Sequence, residues 1–425
     1  MKLFIVFWII LFAISMHTAP RTLTRLESNP IDAFRLVRII SMAIAAILVM
    51  YPLLSLRCIE LAFRPPLSYV LLYVSMAFIS IIYSPLKALT LWKSTEILVD
   101  IGLATVVSVN YIYKGPEKFL KINTIFLCFL VLILETESII SPEHAWRWRN
   151  EGILRMQLGG ALPSMNPTVF GYISAVASVM SFASLLRNDG ERKRGFYAIL
   201  FIASMVGTIL SHCRTAMIAF VVAVTLILFL KRKYLISLVV LFVALVTILF
   251  IPQTQAYWLK TQEVQQVTQL TGRTFLWPLV WNAIKESPVY GYGFYSAQKV
   301  IFDSDTTDNF YLDIFLGLGL LGVFIMSVLI LSVLKNIFYI SLKAWKSQDE
   351  SQIETASKLL GMIVIMSVIG LTTRGFSIHS EAFMVFMTIV TSIQIIRNGE
   401  TEDIEEEVPI AEETNLITQP NMVEK

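Results

Sequence analysis

Apolar residues in this chain gather in long unbroken runs, with no alternation of period two and no narrow stripe of helical period. Crossing the hydrocarbon core of a bilayer takes about 20 apolar residues. Runs of about that length lie at 2–17, 36–56, 67–84, 88–112, 119–140, 167–186, 196–212, 214–230, 234–251, 310–334, 356–373 and 380–396. The pattern predicts an all-α polytopic membrane protein of about 12 transmembrane helices. The fourth run carries Lys93, Glu96 and Asp100; these are expected either to pair inside the bundle or to lie at a frayed end. The first run follows a single Lys2 and lacks a clear small-residue cleavage pattern, so it reads as an uncleaved span in preference to a signal peptide.

The segments between the runs are unequal. Residues 252–309 form one long loop, and loops of that length are usually functional or act as lids. Within it, Phe275 to Ile284 reads as a short amphipathic helix, ended by Pro288 and the glycines that follow. Residues 1–398 are read as one transmembrane domain. Residues 399–425, with runs of Glu, are read as an acidic, disordered cytoplasmic tail. Basic residues cluster at Arg187–Arg194, at Lys231–Lys233 and around Lys335, Lys343, Lys346 and Lys358. By the positive-inside rule these mark the cytoplasmic face. The loop 252–309, the Ser211–Arg214 turn and the loop Arg374–Ser380 then face the periplasm. Arg21, Arg25, Arg35 and Arg38 fall on the predicted outside and disagree with this topology.

Composition agrees with the runs. Hydrophobic residues make up 56% of the chain and charged residues 15%, against about 25% charged in soluble proteins; mean hydropathy is +0.69. A net charge of +3 is too small to suggest a nucleic-acid partner. Cys58, Cys128 and Cys213 form no CxxC pair, and His17, His144, His212 and His379 are far apart. No metal site, cofactor or disulfide framework is expected.

Three polar clusters lie on the predicted periplasmic side. The first is the turn Ser211-His212-Cys213-Arg214-Thr215. Its arginine either snorkels to the interface or meets a fixed anion. The second is Gly272-Arg273-Thr274 with Trp277, followed by Pro288, Gly291 and Gly293. A helix starting there would present free backbone N–H groups beside a cation, which suits an anion; it could equally rest on the membrane surface through Trp277 and Trp281. The third runs from Asp305 to Asp313, where Asp308 or Asn309 would cap the next span, and leads into Gly319-Leu320-Leu321-Gly322.

In order, these read S-x-x-R-T, G-R-T-x-x-W, P-x-x-G-x-G, Asn-x-x-L and G-L-x-G. The series resembles the O-antigen ligase and polysaccharide polymerase (Wzy-type) family. Upstream, Arg155, Gly159, Gly160 and Asn166-Pro167 resemble a further part of it, so the likeness covers roughly 155–335. The resemblance implies a membrane glycosyltransferase of GT-C-like architecture in the cell inner membrane. Such an enzyme takes its glycan from a polyprenyl diphosphate lipid and passes it, without a metal ion, to an acceptor glycan on the periplasmic face. Arg214, Arg273 and Arg155 would then hold the diphosphate. A base must take the proton of the acceptor hydroxyl. Ligases of this family commonly place His directly before the Asn of the re-entry step; this chain has Asp308 there. Asp308, His379 and His212 are all candidates, while Gly272, Trp277, Gly291, Gly293 and Asn309 complete the motifs. The missing His favours a polymerase of O-antigen, capsule or exopolysaccharide, working with lipid-linked glycan and with a chain-length regulator as a partner. A ligase acting on lipid A core, and a flippase for lipid-linked glycans, are the alternatives.

Overall fold

The computed structural model describes residues 2–17, 33–148, 156–187, 190–250, 273–302, 307–372 and 378–407, with no account of the side chains at 148, 248–250, 273–275 and 401–407. The described chain is almost entirely helical. In order the helices are α1 (Lys2–Ser15), α2 (Ala33–Leu53), α3 (Leu56–Ala62), α4 (Leu67–Ile79), α5 (Lys87–Tyr111), α6 (Pro116–Ile140), α7 (Pro167–Leu185), α8 (Glu191–Leu210), α9 (Arg214–Leu230), α10 (Tyr234–Phe250), α11 (Arg273–Glu286), α12 (Ala297–Phe302), α13 (Phe310–Ser347), α14 (Glu350–Gly370) and α15 (Glu381–Glu407). A small antiparallel hairpin, β1 (Trp146–Trp148) with β2 (Met156–Leu158), pairs Arg147 with Gln157.

All of the predicted apolar runs fall on helices. Among the described residues, eight helices are long and apolar enough to cross a membrane. The pair Leu56–Ala62 and Leu67–Ile82, bent by 79°, makes a ninth if taken as one span. Lys2–Ser15, Arg214–Leu230 and Tyr234–Thr247 are apolar but shorter. At 1.5 Å per residue the first two reach only about 21 and 26 Å, against a hydrocarbon core of about 30 Å. Helix α15 continues to Glu407, past the boundary expected at 399.

Side chains follow the logic of a bilayer solvent. Large apolar groups point outward, among them Leu235, Leu238 and Phe242 of α10 and Phe324, Leu331 and Phe338 of α13. Polar groups turn inward, such as Ser174, Ser178, Ser181 and Ser184 along α7. With lipid as apolar as leucine, close packing and interhelical hydrogen bonds hold such helices together. Trp8 of α1 illustrates this: it is fully buried and its Nε1 donates to Asn123 Oδ1 of α6 at 3.0 Å.

The basic residues predicted to share a face do gather at one end of the bundle. Arg187 pairs with Glu354 and Glu117, Lys231 with Glu350, and Lys343 with Glu400. Arg232 stacks over Trp345. This basic end lies opposite the polar motifs.

The largest departure from straight helices is in α13. Gly319 has φ +64° and ψ −160°, so the helix is broken there. A break inside a bilayer exposes backbone groups that lipid cannot satisfy. Here the segment 288–293 supplies the partners. Leu320 N–H donates to Pro288 O at 2.8 Å, while Tyr292 and Gly293 N–H donate to Leu316 O and Gly317 O, both at 2.9 Å. Thus the P-x-x-G-x-G motif is a backbone patch for the G-L-x-G motif. At Gly319 a Cβ would stand 2.2 Å from Val289 O, and at Gly291 (φ +67°) it would stand 2.6 Å from Leu316 O. The patch is then stitched to the third and fourth spans: Tyr83 Oη donates to Tyr290 O, Phe294 N–H to Ser80 Oγ, and Thr90 Oγ1 to Phe294 O. The residues from Gly293 to Lys299 are buried as a result, so this part of the long loop lies inside the bundle.

Replacing Gly319 by Ala is expected to destabilise the protein by roughly 2–4 kcal/mol, combining left-handed backbone strain with overpacking. Gly195→Ala, in a helix with open space around the new methyl, should be neutral or gain up to about 1 kcal/mol. Thermal unfolding of the two purified variants in detergent checks the contrast.

Candidate active site

The turn after α8 is built by Ser211. Its Oγ donates to Thr208 O at 2.7 Å and accepts from Cys213 N–H at 3.2 Å, closing one helix and starting the next. His212 takes the left-handed conformation, φ +51°. The turn sits tightly on α7, where a Cβ at Gly171 would meet Ser211 Oγ at 2.3 Å. Arg214 follows as the first residue of α9 and is half-buried. Arg273 likewise is the first residue of α11; its side chain lies outside the described residues. A cation at a helix start opposes the positive end of the macrodipole, so each position loses stability unless an anion offsets it.

The third cluster is ordered by capping. Asn309 Oδ1 accepts from Tyr311 N–H and Leu312 N–H at 3.0 and 3.1 Å. Of the two residues considered as the cap of this span, Asn309 performs it. Asp313 Oδ1 accepts from Thr307 N–H at 2.8 Å and from Gln298 Nε2 at 3.1 Å, tying the start of α12 to the start of α13. Asp308 is half-buried with φ +56°.

Three contacts join the clusters at the end of α14. Thr215 Oγ1, beside Arg214, lies 3.4 Å from Thr372 Oγ1. Asn309 Nδ2 donates to Leu371 O at 3.4 Å. Trp277 Nε1, one turn into α11, donates to Thr307 O at 3.3 Å. The residues at 211–215, 273–277 and 307–309 therefore meet at one end of the bundle, although almost 100 residues separate the first from the last.

His379 belongs to a buried ionic cluster. Its Nδ1 lies 2.6 Å from Asp100 Oδ2, with both side chains fully buried. Arg38 holds Glu96 through Nε and Nη2, at 2.6 and 2.7 Å, and donates to the His379 carbonyl at 3.1 Å. Lys93 adds a second ion pair to Glu96 at 2.7 Å. The ammonium groups of Lys93 and Lys299 lie 5.3 and 5.7 Å from the centre of the Tyr295 ring. The charges of the fourth run are thus paired inside the bundle. Arg38, which disagreed with the predicted topology, is committed to Glu96. Sequence reasoning missed this role for Arg38, because its partner lies 58 residues away on another helix.

Gly291 and Gly293 serve the break in α13. Arg155, Gly272 and Arg374 lie outside the described residues. The described residues hold no group of three or more His, Cys, Asp or Glu side chains suited to a metal ion.

Residues 198–327, from α8 past the break in α13, match the family model Wzy_C, described as O-antigen ligase. Over this segment, under a third of the chain, the protein is similar to the O-antigen ligase family. The segment contains every motif above except the group from Arg155 to Pro167. A search among curated proteins finds no match. The match supports a ligase- or polymerase-type role in glycan biosynthesis, and the long apolar helices fit an integral membrane protein.

Arg38→Met would leave Glu96 with Lys93 alone, and breaking a buried ion pair costs roughly 3–5 kcal/mol. Lys93→Met should cost less, since the two hydrogen bonds from Arg38 to Glu96 survive. Denaturation midpoints of the two variants are expected in that order; equal midpoints would contradict it.

Proposed function

We propose that this protein is a polysaccharide polymerase, adding glycan repeat units carried on polyprenyl diphosphate to an acceptor glycan. The observation that carries this reading is the meeting of the Arg214 turn, the start of α11 and the Asp308–Asn309 step at the end of α14. The leaving group of such a transfer is a diphosphate at headgroup level. Two helix starts, each with an arginine as first residue, would offer it permanently charged planar donors and the positive ends of two helix dipoles. They would also stabilise the charge that grows as the glycosidic C–O bond breaks. Arg214 and Arg273 are the diphosphate ligands, with Arg155 as a third. His212 lies two residues before Arg214, and Asp308 directly precedes Asn309.

The grouping of Arg187, Lys231, Arg232 and Lys343 at the opposite end supports a cytoplasmic basic face and a periplasmic reaction site. The three shorter apolar helices and the bent pair, added to the eight long spans, support twelve passages and a GT-C-like architecture. Residues 1–398 then form the membrane domain, and the acidic tail and a chain-length regulator act from outside the transfer site. Asp308 in place of His before Asn309 favours polymerase over ligase.

The test is the size distribution of lipid-linked and released glycan in a deletion strain, complemented with wild type or Arg273→Lys. Deletion should leave single repeat units on the lipid, facing outward. Full-length chains stranded on the carrier would mean a ligase, and units trapped on the cytoplasmic side a flippase. Arg273→Lys keeps the charge but loses the planar fork, so polymer output should fall at least about tenfold. Near-normal output at normal expression would count against diphosphate binding by Arg273.

A further inference from the structure

The buried cluster around His379 stands at the level of the proposed transfer site. Arg214 is 17 residues above Lys231 along α9. Thr372, just past the end of α14, is 18 residues from Glu354, and His379, just before the start of α15, is 19 from Asn398. At 1.5 Å per residue each lies about 25–29 Å from the basic end. His379 is also linked by a short chain segment to Leu371 and Thr372, which hold the Asn309 and Thr215 contacts.

The geometry fixes one nitrogen of His379 and leaves the other available. Asp100 takes the Nδ1 side at 2.6 Å, and Arg38, anchored by Glu96, holds the backbone carbonyl. Nε2 is buried and makes no hydrogen bond to any described residue. An unsatisfied buried nitrogen costs about 1–3 kcal/mol, and charged groups at membrane depth cost more. With Asp100 at Nδ1, the Nδ1–H tautomer leaves the lone pair of Nε2 available to accept a proton.

Resting on the transfer reading above, we propose that His379 is the proton acceptor of the reaction and that Asp100, with the Arg38–Glu96 clamp, is its positioning apparatus. As the acceptor hydroxyl attacks the anomeric carbon, the new C–O bond forms on its oxygen lone pair and its proton passes to Nε2. The old C–O bond breaks, and its electron pair leaves on the polyprenyl diphosphate held by the arginines. The proton then rests on Nε2, with Asp100 across the ring at Nδ1, until departure of the products lets water reach it. Burial of Nε2 suits a transferase, because a base shielded from bulk water activates the sugar hydroxyl in preference to water. The apparatus comes from α2, α5 and the start of α15, all outside the matched segment 198–327. The charged groups packed against this residue are Asp100 from α5 and Arg38 from α2; Glu96 pairs with Arg38 and Lys93, and Glu381 follows at the start of α15.

Full-length protein in membrane vesicles that carry the endogenous lipid-linked glycan provides the assay, with chain extension read on gels across pH. His379→Gln, which can still donate to Asp100, should fold normally and retain the lipid donor, yet lose about 100-fold or more in extension rate. Asp100→Asn should lose about tenfold or more and move the acidic limb of the pH profile. Imidazole should restore part of the rate to His379→Ala. Extension within threefold of wild type in His379→Gln overturns the proposal. So does a loss in both variants with an unmoved pH profile and no imidazole rescue, which is a structural role only. Loss in Asp308→Asn with His379→Gln active also overturns it and puts the base at Asp308. Failure of donor retention in Arg214→Gln or Arg273→Lys tests the diphosphate site separately, so the two claims fail independently.

Discussion

A bilayer does not hydrogen-bond an exposed peptide group, and this constraint organises the protein around the break at Gly319. Once α13 is interrupted at membrane depth, Leu316 O, Gly317 O and Leu320 N–H need partners from elsewhere in the chain. The segment 288–293 provides them. That requirement draws the later part of the long loop into the bundle, buries Tyr295 and Lys299 there, and sets where the chain emerges again at Thr307–Asn309. From that point Asn309 caps α13 and reaches Leu371, which brings the re-entry step to the Arg214 turn. The catalytic reading thus depends on a backbone repair that involves no candidate catalytic side chain.

Much of this was legible in the residues. Every apolar run is helical, because runs of that length have no other way to satisfy their backbone in lipid. The helix over Phe275–Ile284 is present as Arg273–Glu286, ended by Ser287-Pro288, and the basic segments do share one end. Other features were hidden for physical reasons. The apolar run 310–334 is continuous, so hydropathy gives no sign of the break; only Gly319 and Gly322 hint at it, and the geometry comes from a partner segment some 30 residues earlier. The pairing of Arg38 with Glu96, and of Asp100 with His379, joins helices far apart in sequence, where side-chain periodicity carries no information. The hairpin at Trp146–Leu158 is too short for alternation to register.

The segment matched to the O-antigen ligase family and the remainder of the chain contribute differently. The matched part supplies the arginine-bearing helix starts, the capping step and the patched break. The flanking helices supply buried charge: Arg38 from α2, Lys93, Glu96 and Asp100 from α5, His379 before α15. Two cations share the Glu96 carboxylate, and that arrangement persists in a low-dielectric interior only because each partner is paired. The cluster locks α2, α5 and the residue just before α15 together.

The central claim is that the Arg214 end of the bundle binds a diphosphate headgroup. Its most direct test is the affinity of purified full-length protein for polyprenyl diphosphate, measured by native mass spectrometry for wild type and Arg214→Gln. Loss of a charge-assisted, bidentate contact predicts a weakening of about tenfold or more. Equal affinity in the two proteins would contradict the account, because the anion would then be bound somewhere other than the site where the three motifs converge.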